Sequence, residues 1–351
     1  MTRYITFAAL IFVCSIIVSC IDEIDLDIFS DERSVVINGL ITDKGGESTI
    51  TVALSPILGI GNDNILDPIS GAKVTLKNSQ NEGINYSESV ENPGEYTANL
   101  TVDVNETYHV EIILPDGDRI VSEPQTFPQK SPEIENLDFD LVNIETISES
   151  GNVAEREIVE LYATTSTLQE NTFLRWRVKG EYQFVERAFG LLNPRNCYVK
   201  ENIDFNNIVI AQSSDFSDRK INNLPIVSTA FNSRFHIVYL FNVFQYSIHP
   251  EEYEYWQQVD KLINIDGTLF DPPPGVIFGN LKNETNPNQN VQGYFSVASE
   301  SFERLFAVSS RKGFFIDSDC FTRPNAPNPE RCLDCTTILN STLERPDYWV
   351  F

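Results

Sequence analysis

Four cysteines stand in the second half of this chain, at Cys197, Cys320, Cys332 and Cys335. Their thiols are the groups best able to bind metal or exchange bonds. "CLDC" places Cys332 and Cys335 at the C-x2-C spacing of a zinc half-site or a redox pair. Zinc would need a second half-site. Cys197 and Cys320 are far apart, and no histidine lies near any of the four. A redox pair would need a βαβ setting, which the flanking residues do not offer. An even count suits two disulfides in a chain that leaves the cytoplasm, with three pairings open.

Other chemistry is harder to read. There is no G-x-S-x-G, no H-E-x-x-H and no phosphate-binding glycine loop, so no cofactor and no catalytic residue is expected. His109 and His236 fall on strand-like runs and His249 at a helix start, where structural roles are expected. With 51 Asp and Glu, paired carboxylates arise by chance and identify no hydrolase without geometry. "GNDNILD" offers Asn62, Asp63, Asn64 and Asp67 as oxygen ligands, but not at the spacing of a calcium loop. Tyr182, Phe184, Tyr198, Tyr253 and Tyr255 could stack on sugar rings if exposed; core packing is the expectation. On "TFLRWRVKGEYQFVE", Phe173, Arg175, Arg177 and Lys179 share one face, opposite Leu174, Trp176 and Val178.

The first residues explain the setting of these groups. Arg3 precedes an apolar run, Ile5 to Val18, too short to span a bilayer and of the length of a signal h-region. Ile17-Val18-Ser19-Cys20 resembles the bacterial lipobox, which implies that residues 1–19 are removed and Cys20 is acylated. Multiple acyl chains would give stable anchoring. The acidic run Asp22, Glu23, Asp25 and Asp27 reads as a solvated tether over 20–34, and also resembles the surface-export signal of Bacteroidota lipoproteins. The expected location is the outer membrane, on the cell surface in preference to the periplasmic face.

The net charge is −26, and loss of the leader with its single Arg makes it −27. Nucleic acid is therefore not an expected partner, because phosphate binding needs clustered Lys and Arg. At 351 residues, two domains are the default.

The elements that must position these residues are nearly all strands. "SVVINGLITD", "STITVALS", "ISGAKVTLKNS", "NPGEYTANL", "TYHVEIILPDG" and "RIVSEPQTF" alternate in period two between tight turns. They predict a Greek-key β-sandwich over 35–130 that folds autonomously, with "PQKSP" (Pro128–Pro132) as a linker. Residues 131–351 predict a larger β-rich domain carrying any recognition surface. "VQGYFSVAS" and "ERLFAVSS" read as two strands within it, and "HPEEYEYWQQVDKLIN" as its one clear helix, with Pro250 in the first turn. Tyr255 or Trp256, Val259 and Leu262 or Ile263 form that helix's apolar stripe. "DPPPG" must be a rigid loop and the tail from Arg331 loop-like, held by its cysteines.

Two resemblances follow. Gly39, Ile41, Thr42 and Asp43, then Pro68, Gly71, Ala72, Val74 and Leu76, then Gly94 and Tyr96, resemble the carboxypeptidase-regulatory-like, transthyretin-like sandwich, a non-catalytic module. Along the whole chain, the lipobox, "VVINGLITD", "PRNCY", "YSIHPEEYEYW", "GTLFDPPP", the "GN" at Gly279, "VQGYF" and "CLDCT…RPDYW" occur in order. Together they resemble a Bacteroidota family of outer-membrane lipoproteins of unknown function. "TTILNST" stands where that family has a Gly-Gly pair. The resemblance implies a non-enzymatic envelope lipoprotein, a ligand-binding or accessory component of a TonB-dependent nutrient-uptake system. Its partners would be the transporter and a small ligand, glycan or peptide. A structural or adhesive surface protein is the alternative, ahead of a carboxylate-dependent hydrolase.

Overall fold

The computed structural model describes residues 33–56, 66–147, 152–188, 190–203, 208–264, 277–325 and 327–351. Cys20 with its leader and most of the tether, Asn62, Asp63 and Asn64 of the oxygen-rich loop, and the "DPPPG" segment lie outside the described residues. The fold is mainly β with one α-helix among the described residues, as the alternating sequence predicts.

The chain opens with β1 (Val35–Thr42), β2 (Gly46–Leu54) and β3 (Asp67–Pro68), then crosses to β4 (Lys73–Asn78) and β5 (Gly83–Asn85). It returns in β6 (Ser87–Glu88) and β7 (Glu95–Leu100), and crosses again to β8 (Thr107–Ile113), β9 (Arg119–Ser122) and β10 (Gln125–Thr126). The two layers, β1-β2-β7-β6 with β3 and β9-β8-β4-β5 with β10, close on one core. Alternation does the sorting: Val35, Ile37 and Ile41 of β1 are buried, while Asn38, Leu40 and Thr42 occupy the other face.

This sandwich is not self-contained, contrary to the expectation for 35–130. After β11 (Ile134–Ile147), β12 (Val153–Thr165), β13 (Phe173–Val185), β14 (Asn196–Asn202), β15 (Val209–Gln212), β16 (Leu224–Ala230), β17 (Tyr239–Ile248) and helix α1 (Pro250–Ile263), the chain comes back. β18 (Leu281–Asn283) pairs with β9, and the first half of β19 (Val291–Ala307) lies parallel to β1 from Val291 opposite Val35 to Ala298 opposite Thr42. Leu281, Val291, Phe295 and Val297 thus enter the first core. The parallel approach needs Gly293 (φ 97), where a Cβ would sit 1.9 Å from the carbonyl oxygen of Ile37.

The same strand then runs on into the second sandwich. Residues 299–307 of β19 pair antiparallel with β17, so the two strands expected from "VQGYFSVAS" and "ERLFAVSS" are one strand of 17 residues. The order β14-β13-β17-β19-β1-β2-β7 is therefore a continuous path through both halves. Behind it, β11-β12-β16 forms a three-stranded layer. Leu174, Trp176 and Val178 of β13 and Phe241 and Val243 of β17 meet Val159, Leu161 and Ala163 of β12 in the second core.

"PQKSP" is pinned where a free linker was expected. Ser131 is buried, donates its backbone N–H to Ser299 Oγ (2.9 Å), and donates its hydroxyl to the Gln245 carbonyl (3.2 Å). Gln245 in turn donates to the Pro132 carbonyl (2.6 Å) and accepts from Trp176 Nε1 (3.0 Å). Buried polar groups require such partners, so the segment is fixed wherever these are.

The four described cysteines form two disulfides, Cys197–Cys335 and Cys320–Cys332. Both thiols of "CLDC" are consumed, by different partners. The tail holds short 3-10 turns at Glu330–Cys332 and Cys335–Thr337 and ends with β20 (Ser341–Thr342) on β14. Where the resembling family has Gly-Gly, Asn340 takes the left-handed conformation (φ 60) that asparagine tolerates.

Candidate functional site

The predicted face of β13 is real: Leu174, Trp176 and Val178 are buried, whereas Phe173, Arg175 and Arg177 are partly exposed and Lys179 is exposed. Antiparallel register sets Arg175 opposite Tyr246, Arg177 opposite Phe244 and Lys179 opposite Asn242 on β17. The next strand places Glu300 opposite Tyr246, Phe302 opposite Phe244 and Arg304 opposite Asn242. Across the fold, Asn38 and Leu40 of β1 and Thr49 and Thr51 of β2 present the outward face of the first sandwich.

These surfaces bound a run of three connected hollows. One of about 380 Å³ lies among Asn38, Thr51, Arg175, Arg177, Trp256 and Tyr294. It shares Leu40, Thr49 and Arg177 with a second, of about 330 Å³, which reaches Lys44, Lys179 and Glu300. Lys179 and Phe244 also line the third, of about 570 Å³, with Lys200, Asn202 and Tyr348. The result is an elongated groove over the sheet and not a closed cavity.

Helix α1 walls one end. His249, its N-cap residue, bonds through Nε2 to the Thr126 carbonyl oxygen (2.6 Å), and Pro250 occupies the first turn. The expected apolar stripe is displaced toward the helix start. Tyr253 and Tyr255 are buried and Leu262 and Ile263 exposed, because only the first two turns lie against the sheet. Glu252 is fully buried there. It accepts bonds from Ser296 Oγ (2.7 Å) and Trp256 Nε1 (3.0 Å), and burial nonetheless raises its pKa, with the Arg175 charge opposing. The Arg175 guanidinium lies 3.4 Å from the centroid of the Trp256 ring. Arg175 is thus set in place from two sides, by the ring and by the field of the carboxylate beneath.

At the other end the tail forms a clamp. Tyr348 donates to Glu181 Oε2 (2.8 Å), and Trp349 is buried edge-on to Tyr198 at 5.0 Å between centroids. Glu181 is only 1% exposed; burial raises its pKa, and Tyr348 is pushed up to about 12. Arg195 binds Glu186 through Nε (2.9 Å) and Nη2 (2.6 Å) and reaches Asp334 (2.7 Å). Burial pushes the Glu186 carboxyl up, yet bonds from Arg195 and the Cys335 N–H outweigh it and hold it below its ordinary range. "PRNCY", "CLDCT" and "RPDYW" therefore converge at one place, and "YSIHPEEYEYW" and "VQGYF" at the other end of the groove.

Of the acids lining the groove, Glu181 and Glu201 do not face each other. Gly180 lies opposite Glu201 and Glu181 opposite Lys200, so Glu181 and Glu201 project from opposite faces. Glu201 is bound to Arg234 (2.5 Å) and to the Tyr239 hydroxyl on the core side. Gly180 makes room for that ring, since a Cβ would stand 2.0 Å from the Tyr239 oxygen. Glu300 has its pKa raised by burial and by Asp43 nearby. Asp43 itself accepts from Ser299 Oγ (2.7 Å) and the Glu300 N–H (2.8 Å), which fixes "GLITD" to β19.

The remaining sequence candidates fall elsewhere. His236 bonds through Nδ1 to the Ile316 carbonyl oxygen (2.7 Å), and His109 lies on the outer face of β8 beside Lys77. Tyr182, Tyr198, Tyr253 and Tyr255 are buried, and Phe184 packs against the second core. Asp67 pairs with Arg33. Trp256, Tyr246, Phe244 and Tyr294 line the groove instead. Period-two reading of "RFHIVYLFNVFQYSI" alone would have put Phe244 and Tyr246 on one face, but not beside the cations of β13. Among the described residues no cluster of His, Cys, Asp and Glu could hold a metal ion, and no helix is long and apolar enough to cross a membrane.

Comparison with known protein families matches residues 21–304 to a model described as a domain of unknown function (DUF4249). The chain belongs to that family. No curated protein matches it.

Proposed function

We propose that the protein is a non-enzymatic lipoprotein of the cell envelope, anchored to the outer membrane through Cys20, whose groove binds a ligand for a TonB-dependent uptake system. The row Arg175, Arg177 and Lys179, flanked by Trp256, Phe244 and Tyr246, carries this reading. An acidic chain that keeps cations beside aromatic rings in one elongated groove has a surface suited to recognition. The leader with its Ile17-Val18-Ser19-Cys20 context supports the anchor, and the ordered motifs support a Bacteroidota origin. The first sandwich, in this reading, is a carboxypeptidase-regulatory-like module that supplies one wall of the groove.

The test is affinity purification from solubilised outer membrane, with the wild-type chain and with Cys20→Ala. The expected result is an outer-membrane barrel retained by the wild type, and a Cys20→Ala protein that is unprocessed or released. A wild-type protein with an unmodified Cys20 and no barrel partner would overturn the proposal. Retention of neighbouring surface structures in place of a barrel would favour the adhesive alternative.

A further inference from the structure

We infer that the outer edge of β11 takes an extended segment of a partner protein as an added strand, one that alternates basic and apolar side chains. The site is separate from the groove. Leu174, Trp176 and Val178 of β13 face the layer β11-β12-β16, and Arg175, Arg177 and Lys179 face the other way.

Among the described residues β11 pairs with β12 alone, so its other side is a sheet edge along a strand of 14 residues. Natural sheets cover such edges, because a free row of N–H and C=O groups is a template for another strand. The covering here stops partway. The Phe139 N–H donates to Asp138 Oδ1 (2.9 Å) and the Leu141 N–H to Asp140 Oδ1 (2.9 Å). Lys312, in the 3-10 turn after β19, donates to the Phe139 carbonyl and pairs with Asp138 (2.6 Å). Alternation turns the N–H and C=O groups of Asn143 and Glu145 to this same side, and there no described group meets them. The third strand of the layer also stops short. β16 reaches Ile158 of β12, and the Phe231 N–H adds one bond to the Glu157 carbonyl (3.3 Å). Beyond lies a two-stranded ribbon in which Val153 to Glu157 are all exposed. Two strands alone are marginal in water, and a further strand stabilises them.

Side chains set the partner's chemistry. Glu145 stands opposite Glu155 and Asn143 opposite Glu157, so three carboxylates share one face of the ribbon. Like charges directly opposite across a ladder are unfavourable, and an added strand with Lys or Arg on that face relieves them. The other face sets Val142 opposite Ile158 and Ile144 opposite Arg156, with the three apolar side chains half-buried. Apolar side chains of the added strand extend that strip. Charge also disfavours the occupants that the chain itself could supply. A second copy brings the same three acids, and the tether brings Asp22, Glu23, Asp25 and Asp27.

The experiment is fluorescence anisotropy of the full chain with three labelled octapeptides. These alternate Lys and Val, repeat that sequence with every backbone amide N-methylated, and alternate Glu and Val. The Lys/Val peptide should bind. The N-methylated peptide keeps the charge and loses the ladder donors, so it should bind at least about tenfold more weakly, as should the Glu/Val peptide. Glu145→Lys combined with Glu155→Lys should weaken the Lys/Val peptide by about tenfold at an unchanged melting temperature. Hydrogen exchange over residues 139–146 should slow when that peptide is added. Failure of the Lys/Val peptide to bind, equal binding of the N-methylated one, no effect of the double variant, or exchange that does not respond overturns the inference. So does slow exchange over 139–146 in the chain alone. Light scattering would then assign the edge to a second copy in a dimer or to the tether in a monomer.

Discussion

Two outward sheet faces of this molecule are built from the same alternation and spend their charges differently. On the first sandwich, β8 presents Glu111 between Lys77 of β4 (2.9 Å) and Arg119 of β9 (2.6 Å), and Arg119 also binds Glu284. Lys77 and Arg119 each have a carboxylate there, and Glu111 is held down to about 2 by the Arg119 and Lys77 bonds. On the second sandwich, Arg175 lies over Trp256 and Lys179 faces Phe244 at 5.7 Å. The nearby acids Glu252, Glu181 and Glu300 are desolvated, with raised pKa values. Ion pairs on the first face satisfy it internally. On the second, aromatic rings and desolvated carboxyls stand beside the cations. Counting charges along the sequence does not separate the two cases.

The comparison assumes that the two sandwiches are one folding unit, and this gives the largest expected effect. A fragment of residues 35–130 lacks Leu281, Val291, Phe295 and Val297 from its core. At about 1.5–3 kcal/mol for each buried side chain, the loss is comparable to the whole stability of a small domain. The fragment should show no cooperative unfolding transition by circular dichroism. A folded fragment would make the two faces independent.

Next come the bridges that hold the tail clamp. Replacing Cys197 and Cys335 together by Ala should lower stability by about 4–5 kcal/mol, since the closed loop spans 138 residues of separation. Removing Cys320–Cys332, with a separation of 12, should cost about 3 kcal/mol. Denaturant midpoints read both. A reversed order would show that the clamp contributes little to the groove's end wall.

The acids of the two faces should respond to pH with opposite sign. Glu111 has a lowered pKa in the folded state, so its contribution is present above the ordinary carboxylate range and disappears as pH falls toward about 2. Glu111→Gln should destabilise by about 1–2 kcal/mol at pH 7, by less at pH 3, and by little below about pH 2. Glu252 has a raised pKa, so the folded state favours its protonated form, and that contribution is lost as pH rises through the folded value. Relative to wild type, Glu252→Gln should therefore gain stability as pH rises. Parallel slopes for the two variants would erase the distinction between paired and desolvated acids.

The smallest effect is expected at the groove surface. Lys179→Gln should change stability by no more than about 0.5 kcal/mol, as a substitution at an exposed side chain does. A larger loss would mean that this cation, like Lys77, is spent on the fold.

Much of this was written in local pattern. The period of two marked the strands, and the opposite faces of β13 could be assigned from "FLRWRVK" because a pleat sends alternate side chains to opposite sides. Pro250 and the flanking residues located helix α1, and an even cysteine count indicated two bridges. These are local or countable properties. Tertiary structure decided the rest. Pairing β1 with a strand more than 250 residues away, choosing Cys197 as the partner of Cys335, and bringing Trp256 over Arg175 each depend on distance in space. So does the burial of Glu252, whose place in a helix's first turn suits equally a solvated acid facing the positive helix end. A sequence states which face a residue occupies; only the packing of distant elements determines what that face meets.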